Sequence, residues 1–202
     1  MDSFFENIKG YYDFNNQNCN NCVNIKIVLA ADAAVGKTAF ILRLQNKNYN
    51  DYMKKDRKLG ATIGTDFYRL ILYHKGINVK LMIFDTVWIN SPTFNLDGCL
   101  QEADIIFLFY ESSSKYSFKA IQDKKYYFDN YCKRNKILAL IRNKYDKGIE
   151  EISDEEALEF ADKNNMLFFH LSLHTKNETG VKELFENVLD EYFRRKEKKE
   201  NE

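Results

Sequence analysis

The chain is short of several things, and each shortage excludes a class of protein. Only 1 proline and 8 glycines occur among its 202 residues. Collagen-like and low-complexity chains depend on those two residue types and are excluded. Neither charge is in excess: 30 Lys and Arg face 30 Asp and Glu. A dedicated nucleic-acid binder carries a basic surplus, so nucleic acid is not an expected partner. No run reaches the ~18 apolar residues that suggest a bilayer-crossing helix, so no transmembrane segment is expected. Residues 1–10 (MDSFFENIKG) lack the apolar stretch of a secretory signal. The 4 cysteines (Cys19, Cys22, Cys99 and Cys132) are therefore expected as reduced thiols in a cytoplasmic protein. Cys19 and Cys22 make a lone C-x-x-C. No second pair follows at zinc-site spacing, so no zinc is expected.

What is present is a core. Hydrophobic residues make up 45% of the chain and aromatics 15%, enough to bury one sizeable interior. Residues 15–24 (NNQNCNNCVN) are polar and aperiodic. We therefore expect an Asn-rich extension over 1–21, one folded domain over 22–195 and a charged tail over 196–202. Apolar runs predict strands at 23–29, 67–73, 78–84, 105–110, 137–141 and 166–173. Residues 74–77 (HKGI) read as the turn of a hairpin. Helices are expected from Lys37 to about residue 45, over 115–134, and from Ser153, which opens a capping box with Glu156, to about residue 164. A last helix carries Val181, Leu184, Phe185, Val188, Leu189, Tyr192 and Phe193 on one face. Strands alternating with helices predict an α/β fold. Its six-stranded sheet is mostly parallel, with one antiparallel strand and helices on both faces. Ligands of such sheets bind at the carboxyl ends of the strands.

Three motifs sit where that rule puts them. The first strand runs into residues 31–38 (ADAAVGKT) and then a helix. This matches the second half of the phosphate-loop pattern G-x-x-x-x-G-K-[ST], with Ala31 in place of the first glycine. Such a loop wraps backbone N–H groups around phosphate oxygens at a helix N-terminus. The nucleotide-binding stretch would be Ala33, Ala34, Val35, Gly36, Lys37, Thr38 and Ala39. Lys37 would meet the outer phosphates and Thr38 would offer its hydroxyl to Mg²⁺. Ala31 is expected to strain the turn if its position needs a positive φ. The second motif, Asn143-Lys144-Tyr145-Asp146, follows a strand. A carboxylate at Asp146 can accept both N–H groups on one edge of guanine, an edge that adenine lacks. Lys144 would lie along the base and Asn143 would tie loops together. The third is Asp85-Thr86, at a strand end suited to holding Mg²⁺. Thr62, in a loop, could complete the metal shell when a third phosphate is present, which would make it a sensor.

Jointly these residues resemble a Ras-superfamily small GTPase, most closely of the Rab branch, over about 23–193. Residues 63–67 (IGTDF) resemble the Rab switch I motif I-G-V-D-F, and 80–84 (KLMIF) resemble the strand K-L-Q-I-W. Ser117-Phe118 resembles the opening of the family's third helix. Ser172-Leu173-His174 resembles its S-A-K guanine loop. The resemblance implies a P-loop NTPase G domain that binds GTP/GDP and Mg²⁺. The metal residues would be Thr38, Thr62 and Asp85. The base would be read by Asn143, Lys144, Asp146, Ser172, Leu173 and His174. It further implies a switch in vesicle and membrane trafficking, cytoplasmic or peripheral on endomembranes. Effector and regulatory proteins would engage Ile63, Phe67, Phe84, Trp88 and Ile89. In Rabs a hydrophobic triad reads out the switch state, and its positions here are Phe67, Phe84 and Cys99, the last normally Tyr.

The departures concentrate on hydrolysis. The family's D-T-A-G-Q becomes Asp85-Thr86-Val87-Trp88-Ile89. Trp88 replaces the Gly that lets the second switch pivot. Ile89 replaces the Gln that orients the attacking water, and it has neither donor nor acceptor. No confident catalytic residue remains, so weak GTP hydrolysis is expected. Residues 46–59 are longer than the corresponding Rab stretch and carry Lys54, Lys55, Arg57 and Lys58. Either Tyr49 or Tyr52 could stack on the base. No prenyl anchor is visible near residue 202: either the natural tail was cut away, or the protein works without that anchor. The rival reading is a nucleotide-locked or nucleotide-free module for protein interaction. A phosphate-loop kinase for small molecules would have no need of the N-K-x-D motif.

Overall fold

The structure, a computed structural model, describes residues 21–44, 65–86, 96–131, 136–144, 150–173 and 180–201. Along the chain the elements are β1 (Val23–Ala30), α1 (Lys37–Leu44), β2 (Thr65–His74), β3 (Ile77–Thr86), α2 (Leu96–Glu102), β4 (Ile105–Glu111), α3 (Lys115–Asp123), α4 (Lys125–Tyr131), β5 (Ile137–Asn143), α5 (Asp154–Lys163), β6 (Met166–His170) and α6 (Val181–Glu200). The sheet order is β2-β3-β1-β4-β5-β6. Strand β2 runs antiparallel to β3, and the other neighbours are parallel. The expected α/β architecture is therefore present. Because β1 is flanked by β3 on one side and β4 on the other, a crevice opens at its carboxyl end.

Alternation along β4 assigns the two faces. Phe107 and Phe109 point to the face covered by α1 and α6, where Phe40 packs 6.2 Å and 5.4 Å from them and stacks on Phe185 at 6.0 Å. Tyr110 points the other way, against Phe118 of α3 at 5.0 Å, and Phe118 meets Phe160 of α5 at 5.4 Å. Strands covered on both faces read as continuous apolar runs, and β1, β4 and β5 are buried accordingly. This rigid centre fixes the strand ends from which the functional loops depart.

Several boundaries differ from the sequence reading, each for a local reason. The hairpin strands are longer, because a two-residue turn at Lys75 (φ 45°) and Gly76 (φ 90°) joins them. Two consecutive positive φ values match the strand twist and keep the ladder intact to the turn. The hairpin docks on α6, where His74 Nε2 lies 2.8 Å from Asp190 and stacks on Phe193. The helix expected over 115–134 is two, α3 and α4, broken at Lys124. Strand β6 ends at His170, short of the expected 173. Helix α6 continues through residue 200, past the expected tail boundary at 196. Glu191 pairs with Arg194 at 2.7 Å and Arg195 at 2.6 Å, and strong helix formers follow. Cys99 is a free thiol, but Cys22 is disulfide-bonded, with its other half outside the described residues. The expectation of reduced thiols thus holds for the first and fails for the second. Of the expected extension over 1–21, residues 1–20 also lie outside them.

Phe40 is wholly buried among three aromatic rings, so Phe40→Ala is expected to cost about 3–5 kcal/mol. Urea unfolding checks this; a loss below ~1 kcal/mol would mean that α1 is not anchored through this ring.

Candidate functional site

Strand β1 carries the chain into the loop at 31–36, which turns into α1. Ala31 is fully buried and does not have a positive φ. The condition under which Ala31 would strain the turn is therefore not met. The left-handed residues of the loop are Ala34 (φ 64°) and Gly36 (φ 105°). Gly36 is demanded twice over. Its φ favours glycine, and a Cβ there would stand 2.1 Å from Asn143 Nδ2. Ala33 and Ala34 are exposed, Val35 is buried, and Ala39 packs against the core.

The end of β5 reaches the same loop. Asn143 Nδ2 donates to the Val35 carbonyl at 2.7 Å, and Lys144 Nζ donates to the Ala34 carbonyl at 2.8 Å. Lys144 itself sits at φ 58°, a strained backbone for a lysine. Beyond β6, Ser172 is buried and Leu173 closes beside Gly36. Residues from three separate predicted motifs thus meet around one glycine.

The charges on the other side are also buried. Lys37 is curled over its own loop, donating to the carbonyls of Ala31 at 3.0 Å and Asp32 at 2.7 Å. Burial pushes its ammonium down to about 8, against the pull of Asp85 and Asp32. Thr38 Oγ1 donates to Asp85 Oδ2 at 2.9 Å. Asp85 is fully buried, and that burial raises its carboxyl above the usual carboxylate range. Its second oxygen, Oδ1, has no hydrogen-bond partner among the described residues. A buried, unsatisfied carboxylate oxygen beside a hydroxyl is a hard-oxygen donor pair that suits Mg²⁺. Among the described residues no cluster of three or more His, Cys, Asp and Glu could hold a metal alone. A cation here would take its remaining ligands from water and phosphate. Beside Asp85, Thr86 Oγ1 donates to the Leu29 carbonyl at 2.8 Å and locks β3 to β1.

Phe67 and Phe84 are register partners with rings 5.0 Å apart; Phe67 is 44% exposed and carries Arg69 over its ring. Cys99 is half-buried on α2. Thr62, Ile63, Trp88, Ile89, Asp146, His174, Tyr49 and Tyr52 lie outside the described residues. Two residues escaped the sequence reading. Glu111, at the carboxyl end of β4, pairs with Lys144 Nζ at 2.6 Å and accepts from Ser113 Oγ at 2.9 Å. Ser112 takes the Asn143 carbonyl through its N–H and the Lys144 carbonyl through its hydroxyl, both at 3.0 Å. The signal for Glu111 was positional: a carboxylate ending an apolar strand.

Gly36→Ala is expected to cost at least ~2 kcal/mol in urea unfolding, from φ strain plus the clash with Asn143. Asn143→Ala relieves only the clash. The double variant is therefore expected to cost less than the two single costs added together, by ~1 kcal/mol or more. Strict additivity would refute the close approach.

The family model described as "Ras family" matches residues 26–194. Ras-related protein Rab-18-B of Danio rerio is 29% identical over 167 residues, which span 82% of this chain and 78% of that protein. Ras-related protein Rab-18 of Lymnaea stagnalis is also 29% identical, over the same share of this chain and 79% of its own length. Ras-related protein Rab-3A of Homo sapiens is 28% identical over 82% of this chain and 72% of its own. With a match running from β1 to the later turns of α6, on a sheet of this order, the chain belongs to the Ras family as a Rab-like small GTPase.

Proposed function

We propose that the protein is a guanine-nucleotide switch of the Rab type that hydrolyses GTP slowly and acts in membrane trafficking. One observation carries the nucleotide reading. Both described residues of the guanine motif, Asn143 and Lys144, bond to carbonyls of the phosphate loop. That arrangement holds a base site and a phosphate site at one fixed separation, as a single bound nucleotide requires.

In this reading the backbone from Ala33 to Ala39 and the Lys37 ammonium hold the phosphates. A polyphosphate would draw Lys37 off the Ala31 and Asp32 carbonyls and keep it charged. Thr38, Asp85 and Thr62 would hold Mg²⁺, which when bound neutralises charge on the phosphate oxygens. Asn143, Lys144 and Asp146 read guanine, with Ser172, Leu173 and His174 closing over the base. Hydrolysis is in-line attack of water on the γ-phosphate, and it depends on positioning. Ile89 offers the water neither donor nor acceptor, and Trp88 stands where the family keeps a pivoting glycine. The exposed Phe67 and the half-buried Phe84 beside it, with Ile63, Trp88 and Ile89, would face effectors and regulators. No helix among the described residues is long and apolar enough to cross a membrane.

The test is to denature freshly purified, undialysed protein and identify the released nucleotide by ion-exchange chromatography. About one guanine nucleotide per chain is expected, with GTP retained. Single-turnover hydrolysis is expected to be at least ~10-fold slower than in the Ile89→Gln variant. Protein that is empty and ignores added GTP with Mg²⁺ would overturn the switch and favour a pure interaction module. An unchanged rate in Ile89→Gln would overturn the account of slow hydrolysis.

A further inference from the structure

Arg142 is the largest wholly buried side chain among the described residues, and nothing in the nucleotide reading uses it. It directly precedes Asn143, and alternation along β5 turns the two in opposite directions. Asn143 faces the phosphate loop. Arg142 faces the α5 side, in a row across three strands formed with its register partners Tyr110 and His170. Its guanidinium pairs with Asp154, the first residue of α5, and with Glu150 at 3.0 Å. Asp154 also takes His170 Nε2 at 2.7 Å. The Arg142 carbonyl accepts from the Leu171 N–H at 2.7 Å, just where the chain leaves β6 for Ser172 and Leu173.

These contacts join the two places from which base-reading residues depart. The guanidinium bridges residue 142 to residues 150 and 154, on either side of the guanine motif. Through Asp154, which also takes His170, the guanidinium reaches the end of β6, ahead of the second base loop. A wholly buried guanidinium carries a large desolvation cost, and ion pairs of this kind add little to stability. What this planar cation supplies is reach between two elements, since it hydrogen-bonds Asp154 and holds Glu150 as an ion pair.

We infer that Arg142 is a positioning residue that sets guanine selectivity, by clamping the strand ends that carry Asn143–Lys144 and Ser172–Leu173. This rests on the nucleotide reading above. It requires that loosening the clamp harm recognition of the guanine edge more than grip on the phosphates. A purely structural role would weaken both together.

The experiment compares release of GDP and IDP from the full chain with Mg²⁺ present. Inosine lacks the exocyclic amine of guanine, so the ratio of the two rates reports how well the base edge is met. Arg142→Lys keeps the charge and loses the fork. Glu150→Gln removes the charge of one partner, at a side chain that is 47% exposed, and so spares the core. Each variant is expected to speed GDP release about 5- to 10-fold and IDP release less than about 2-fold, closing the gap between them. Thermal unfolding with nucleotide bound checks folding. If Arg142→Lys does not fold, Glu150→Gln decides the matter. Equal acceleration of both nucleotides, or no change, would overturn the clamp while leaving guanine binding intact. Wild-type protein that releases GDP and IDP at one rate would overturn the guanine reading and the clamp with it.

Discussion

The hydrogen bond from Asn143 Nδ2 to the Val35 carbonyl is the contact on which the rest of the site depends. It spans 108 positions of sequence and brings the end of β5 onto the loop that follows β1. So short an approach leaves no room for a Cβ at residue 36. The glycine of G-K-T is therefore set by a side chain more than a hundred residues away as well as by its own φ. The Lys144 bond to Ala34 repeats the tie one residue on, and the Glu111 carboxylate holds that lysine in place. The loop after β1 and the end of β5 are thereby tied together, each anchored to a buried strand.

The same economy governs the charges. Lys37 and Asp85 are both buried in a crevice, and burial disfavours the charged form of each, pushing the ammonium down and the carboxyl up. The protein satisfies them only in part. Lys37 borrows carbonyls from its own loop, and one oxygen of Asp85 has no hydrogen-bond partner among the described residues. A core built for stability alone would not keep such groups. A core that must receive an anion and a cation would, because the ligand supplies the missing partners.

Much of this was legible in the sequence, and the limits follow from physics. The β1, β4 and β5 runs were plain because strands buried on both faces lose their alternation. The phosphate, metal and guanine motifs fell at strand ends, where the sheet topology requires ligands. Boundaries were harder. The break at Lys124 leaves α3 and α4 as separate helices within a segment whose pattern is continuous. The extension of α6 past residue 195 depends on pairs between Glu191 and two arginines rather than on an apolar stripe. The positive φ that would have strained Ala31 falls elsewhere, for a related reason. Which residues of a loop take positive φ is decided by where the chain must go next, and here that falls on Ala34 and Gly36. Glu111 and Arg142 were missed because a single charged residue at a strand end says nothing of its partner until the strands are in register.

Register explains the last of these. Side chains of adjacent residues on a strand point to opposite faces, so Asn143 and Arg142 cannot share a task. One works on the phosphate loop, and the other fixes the strand end from behind. Their neighbours repeat the division: Glu111 joins Asn143 in register and reaches Lys144, while Tyr110 and His170 join Arg142. The carboxyl edge of β4, β5 and β6 thus carries polar groups on both faces, in a sheet otherwise apolar through its centre. A loop that reads a base must be held against displacement toward the nucleotide and away from it. A strand end gripped on both faces meets that requirement, and one gripped on the ligand side alone would be free to tilt.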